Sequence, residues 1–231
     1  MDQRTKSILE TSIEEFIETG KPITSGRLYK KYDFGIKPAM IRRELSDLDN
    51  ADFLSQIHTS GGRIPTNKAY RFFVKNLRAE NLEPKVSKRE GKEMIEKFLS
   101  NEMNLVTKMM AKYLNTLNAI YEPNKNRFFS SGLEDLFENI EIEEKDELKE
   151  IIRDFEKLPQ RLSEAVNNKD KKRELEIYIG ENPFTKSNYL SLISEEFNLN
   201  NEEILLLTIG PRRMDYRKSI CVYRFFEDET N

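Results

Sequence analysis

The chain has 231 residues, 37% of them apolar and 34% charged, with a formal net charge of -3. That length suits two small domains better than one large one. The longest apolar run, Ile204-Leu205-Leu206-Leu207 continued by Thr208-Ile209, has strand length and falls far short of the roughly 20 residues of a membrane span.

The single cysteine, Cys221, excludes an internal disulfide framework and suits a reducing cytoplasm. The N-terminus is charged from Asp2 onward, without a signal-peptide core. Charge is unevenly spread. Residues 1–78 carry 14 Lys/Arg against 10 Asp/Glu, a balance of +4, whereas the remainder carry 24 against 31. Phosphates respond to a local patch rather than to the total, so an acidic chain remains compatible with nucleic-acid binding.

A first helix is expected over 4–19, where Ile8, Leu9, Ile13, Phe16 and Ile17 share one face, with Gly20 and Pro22 as the stop. Thr24-Ser25 caps a short second helix through Tyr32, Gly35 makes a turn, and Pro38 opens a third helix. Three short helices with a tight glycine-containing turn make a helix-turn-helix. On the third, Ile41, Leu45 and Leu48 form the buried stripe, while Ala39, Arg43, Ser46 and Asn50 face away and Met40, Arg42 and Asp47 flank them. Small and basic side chains suit a major groove, where Arg pairs with guanine. The same pattern also fits an ordinary solvated face.

Residues 53–57 alternate as a strand, and His58-Thr59-Ser60-Gly61-Gly62-Arg63-Ile64-Pro65 reads as a turn-rich loop with a cation near its tip. Thr66 caps a fourth helix bearing Tyr70, Phe73, Val74 and Leu77. Strand, glycine hairpin and return after a helix-turn-helix describe a wing. The candidate DNA contacts are Ser25 and Arg27 on helix two; Lys37, Ala39, Met40, Arg42, Arg43 and Ser46 at helix three; His58, Thr59, Ser60 and Arg63 in the wing; and Thr66 and Lys68 at helix four. No catalytic residue, metal site or cofactor is expected: His58 is the only histidine, and neither a Walker loop nor G-x-G-x-x-G occurs.

The run Ile36-Lys37-Pro38-Ala39-Met40-Ile41-Arg42-Arg43-Glu44-Leu45 resembles the recognition helix of the HrcA family of heat-inducible transcription repressors, G-V-S-P-A-T-I-R-N-D-M. His58 to Thr66 resembles that family's H-T-S-A-G-R-I-P-T, and Tyr70-Arg71-Phe72 its G-Y-R-F. Further on, Ile179 to Pro183 resembles I-G-E-E-N-P, one Glu short, and Ile209 to Tyr216 resembles I-G-P-T-R-M-D-Y. The resemblance implies repression of chaperone operons at an inverted repeat, the CIRCE element, together with a GAF-like C-terminal domain and a chaperonin partner. Lys37 stands where the family has a capping Ser, Arg43 where it has Asn, and Arg212 where it has Thr. Family members are usually longer, and the missing portion falls between Tyr121 and Gly132, so their mode of dimerisation does not carry over directly.

The domains are then expected as a winged helix-turn-helix over 1–78, a linker over 79–87, and a reduced GAF-like α+β regulatory and dimerisation domain over 88–231. The second opens with one long helix from Lys88 to Asn118, whose stripe includes Ile95, Phe98, Leu99, Leu105, Val106 and Met110. That stripe covers the domain's own sheet or pairs in part with a second subunit. A hairpin at 119–129, helices over 133–138 and 145–155, a charged loop at 167–173, strands at 175–179, 189–194 and 203–209, and a closing helix from Arg213 to Phe226 follow. Asp215 is expected in the first turn of that closing helix, and all helices on one side of the sheet.

The functional expectation is a cytoplasmic, homodimeric repressor on double-stranded DNA. A small, polar regulatory domain is expected to be marginally stable, so that heat disables it and a chaperonin restores it. Two alternatives are a winged-helix protein-interaction adaptor, recognised by the absence of operator binding, and a metabolite-responsive regulator, recognised by ligand-dependent stabilisation.

Overall fold

Asp2 starts the first element: its carboxylate accepts from Thr5 N at 2.8 Å, leading into α1 (Gln3–Thr19). The helix ends at Gly20, whose φ of 63° few other residues tolerate and whose N–H reaches Phe16 O at 2.8 Å. Thr24 Oγ1 accepts from Arg27 N at 3.2 Å and caps α2 (Ser25–Lys31). Pro38 occupies the first turn of α3 (Pro38–Asn50), and Lys37 before it makes no side-chain cap. Ile8, Leu9 and Ile13 from α1, Leu28 from α2 and Ile41 and Leu45 from α3 are fully buried, each contributing about 1.5–3 kcal/mol.

The computed structural model describes residues 1–57, 61–79, 88–140, 145–168 and 174–230. The chain divides into two compact units, residues 1–80 and 81–231. In the first unit, β1 (Leu54–Gln56) and β2 (Arg63–Pro65) pair antiparallel with Ser55 opposite Ile64, and α4 (Asn67–Ala79) buries Tyr70, Phe73, Val74 and Leu77. Ile23 adds a bridge on the outer side of β2, with Ile23 N to Arg63 O at 2.7 Å and Arg63 N to Ile23 O at 2.9 Å. Gly62 is required at this crossing, since a Cβ there would lie 2.7 Å from both Ile23 O and Pro22 Cβ.

The second unit opens with α5 (Lys88–Leu99) and α6 (Met103–Leu114). This corrects the expected single leading helix from Lys88 to Asn118. Asn101 adopts φ 60°, Glu102 N returns to Lys97 O at 2.9 Å, and Lys97 Nζ meets Glu102 Oε1 at 2.9 Å across the break. The turn lets Phe98 and Met103 both be buried, while Leu99 and Leu105, assigned to the stripe, stand 46% and 40% exposed. Asn115, at φ 53°, ends α6, and Leu117 belongs to the next strand.

That strand is β3 (Leu117–Glu122), followed by a 3-10 turn at Pro123–Lys125, β4 (Arg127–Ser131), α7 (Leu133–Asn139) and α8 (Lys145–Asn168). α8 runs well past the expected stop at Phe155 and continues through Pro159. Ile151, Leu158 and Leu162 stay on one buried face across the proline, and that burial outweighs the missing N–H. The remaining elements are β5 (Glu176–Ile179), β6 (Leu190–Leu199), β7 (Glu202–Pro211) and α9 (Tyr216–Thr230). The sheet is antiparallel in the order β4-β3-β7-β6-β5. β6 and β7 are joined by Asn200 and Asn201, both at positive φ, as a tight two-residue hairpin requires.

Helices cover both faces of this sheet, not one. Leu117, Leu192, Leu207 and Ile209 pack with Leu136 of α7 and Leu158 and Leu162 of α8. On the opposite face, Phe197 of β6 meets Phe98 of α5 and Phe226 of α9 edge-on or tilted, and Tyr223 of α9 donates to Ile193 O at 3.1 Å. The run 204–209 shows no alternation because both of its faces are buried. The second unit is thus α+β, a five-stranded sheet between two helical layers.

Candidate nucleic-acid interface

Along α3 the buried residues Ile41, Leu45 and Leu48 fix which side turns outward. Lys37, Ala39, Met40, Arg42 and Arg43 are exposed and Ser46 is half-buried. Among the described residues Lys37, Arg42 and Arg43 have no side-chain hydrogen bond or ion pair. Three cations are therefore free at the start of one helix.

The cations of α2 are placed differently. Glu15 of α1 is fully buried and takes Lys31 Nζ at 2.6 Å, Tyr32 Oη at 2.7 Å and Arg27 Nε at 2.6 Å. Burial works against its charge, but the hydrogen bonds from Lys31 and Tyr32 and the charge of Arg27 outweigh it and hold the carboxyl below its ordinary range. Arg27 thus fastens α2 to α1, and Ser25 beside it is largely buried. Neither residue is free in the way the α3 cations are. Arg27, Lys30 and Lys31, with Thr24 and Gly26, line an open concavity on this side. Lys30, exposed there, was absent from the sequence candidates although Arg27, Lys30 and Lys31 have i, i+3, i+4 spacing.

Arg63 stands in β2, not at a loop tip. Its Nε donates to Asp49 Oδ2 of α3 at 3.0 Å, and its side chain is only 15% exposed. It ties the hairpin to the C-terminal half of α3, and Asp49 was not recognised from sequence. Thr66 Oγ1 donates to Asp52 O at 2.7 Å and accepts from Ala69 N at 3.3 Å, capping α4 and tying its start to the turn before β1. Lys68 is exposed, but its Nζ donates to Ala51 O at 2.7 Å and lies 4.7 Å from the centre of the Phe53 ring. There it satisfies a carbonyl just past the end of α3. His58, Thr59 and Ser60 lie outside the described residues.

The two C-terminal motifs have structural work. Asn182 Oδ1 accepts from Phe184 N and Thr185 N at 2.9 and 3.0 Å, and its amide donates to Gly180 O at 3.0 Å. Asp154 of α8, almost fully buried, accepts from Lys186 N and Ser187 N, both at 2.8 Å, and from Arg161 Nη1, which also donates to Phe184 O. The 180–187 turn is thereby pinned to α8. Gly210 lies where a Cβ would be 2.7 Å from Met214 Sδ. Asp215 precedes α9 rather than entering it, and its Oδ1 caps Lys218 N at 2.9 Å. Among the described residues no cluster of His, Cys, Asp and Glu could hold a metal, and no helix is long and apolar enough to cross a membrane.

Comparison with known proteins adds family and fold. The model of one family, described as "HrcA protein C terminal domain", matches residues 66–220. The "Heat-inducible transcription repressor HrcA" of Thermodesulfovibrio yellowstonii is 40% identical over 126 residues, 52% of this chain and 32% of that protein. The protein of the same name from Carboxydothermus hydrogenoformans is 37% identical over 120 residues, 52% of this chain and 34% of that one. The matched segments thus span about a third of these relatives' lengths. A solved crystal structure of a hypothetical protein shares the fold, with a TM-score of 0.77 at 15% identity over 100% of this chain and 99% of that one.

Proposed function

The chain belongs to the HrcA family, and from that premise we propose that it is a sequence-specific repressor of heat-shock (chaperone) genes. It acts in the cytoplasm as a homodimer on an inverted-repeat, CIRCE-like operator. Its first unit is a winged helix-turn-helix domain in which α3 enters the major groove and β1–β2 form the wing. Its second unit is a reduced GAF-like domain for regulation and dimerisation, with a chaperonin as partner. The relatives that support this reading are named as heat-inducible transcription repressors, not as enzymes.

The observation that carries the proposal is the exposed start of α3, where Lys37, Arg42 and Arg43 have no protein partner among the described residues. Free guanidinium groups on a helix of groove-fitting width suit guanine edges and phosphates. Arg27, Arg63, Thr66 and Lys68 hold the reading head in place, and Lys30 and Lys37 supply phosphate contacts. Dimerisation follows from the small number of bases one such unit reaches, since two half-sites combine discrimination of about 1–3 kcal/mol per base pair.

Fluorescence anisotropy of the full chain against the inverted repeat and a scrambled duplex, over a salt series, tests this. At least about a thousandfold preference for the repeat is expected. Equal affinity for both duplexes at every salt concentration would refute sequence-specific repression.

A further inference from the structure

Met40 is the large apolar side chain left exposed on α3, at 43%. It sits outside the buried stripe of Ile41, Leu45 and Leu48, so core packing does not account for it. Arg43 lies three residues on, which places the two side chains as neighbours on one helix flank. Asp47, a turn beyond Arg43, is exposed and forms no ion pair with it among the described residues. The flank therefore offers one flexible thioether beside one uncommitted guanidinium.

The major-groove wall carries one apolar group, the C5 methyl of thymine, and guanine presents the O6 and N7 pair that a guanidinium grips. Met has three rotatable bonds and a polarisable sulfur, so it can settle on a methyl without a preset rotamer. We propose that Met40 reads a thymine methyl while Arg43 holds the adjacent guanine, making a thymine–guanine step the feature this helix selects. The proposal rests on the DNA-binding reading above and names the bases that reading leaves open.

The test begins with selection from a randomised duplex library by the full chain, followed by replacement of each thymine of the selected site with deoxyuridine. That change removes the methyl and leaves the pairing edge intact. At one position per half-site the substitution should weaken binding by about fourfold, the value of one buried methyl, and about fifteenfold when both half-sites are changed. Met40→Ala should abolish this penalty at that position and at no other. Arg43→Ala should keep the penalty and lose preference at the neighbouring guanine. An enriched sequence whose deoxyuridine penalties are the same in wild type and Met40→Ala would overturn the proposal alone. Failure to enrich any sequence would overturn it together with the DNA-binding reading.

Discussion

Replacing Asp154 with alanine should destabilise the second unit more than any conservative surface change. Its Oδ2 accepts from two backbone donors, Lys186 N and Ser187 N, and its Oδ1 pairs with Arg161. The residue is 1% exposed, and Ser187 is fully buried, so solvent does not readily replace the lost bonds. Each buried donor left without an acceptor costs about 1–3 kcal/mol. Arg161 adds less, because its side chain is 18% exposed and keeps Phe184 O. The total is about 3–5 kcal/mol, in the range for breaking a buried charge pair. For a unit of this size that corresponds to a fall of roughly 10 °C or more in its melting transition. Asp154→Asn supplies the contrast. An amide oxygen in the Oδ2 position still accepts both backbone donors, while the amide nitrogen meets Arg161 donor to donor, so the damage is confined to that one contact and the shift should be smaller than for alanine. Differential scanning calorimetry of the full chain reads both. An alanine variant melting within about 2 °C of wild type, or an asparagine variant as damaged as the alanine one, would refute the reasoning.

Three further outcomes follow from the first unit. Glu15 has a depressed carboxyl pKa in the folded state, so its contribution is present above the ordinary unfolded range and lost as pH falls through the folded value. Acid melts of Glu15→Gln should therefore show a shallower loss of stability below about pH 5 than wild type, and parallel curves would contradict the buried network. Gly62→Ala forces a Cβ to 2.7 Å from Ile23 O and Pro22 Cβ, and urea titration should show a loss of about 1–3 kcal/mol. Arg63→Ala and Asp49→Ala should weaken operator binding similarly, and the double variant no further than either single one; additive losses in anisotropy would mean that Arg63 contacts DNA independently of Asp49.

Much of the first unit was readable because its signals are local. Gly20 and Pro38 mark helix ends through backbone chemistry alone, and the Ile41, Leu45, Leu48 spacing fixes the outward face of α3. What escaped the sequence depends on distant partners. Arg63 reads as a loop cation until Asp49, fourteen residues away in the chain, takes it, and Arg27 reads as a free cation until Glu15 does. In the second unit the break at Asn101 is hidden by a stripe that runs on through both helices, with Leu99 and Leu105 fitting its period yet exposed. Glu195 and Glu196 read from sequence as the end of a strand at Ser194, but Glu195 is buried within the continuing β6. The Asn200-Asn201 pair was the available sign that a hairpin lay further on.

The central claim is that the free arginines of α3 carry sequence recognition. The most direct test compares wild type with the Arg42→Ala/Arg43→Ala variant for affinity to the inverted repeat and to a scrambled duplex. Both side chains are exposed and without protein partners among the described residues, so melting should be unchanged while the preference for the repeat falls by about a hundredfold or more. A variant that keeps the full preference would contradict the account and place recognition elsewhere on the chain.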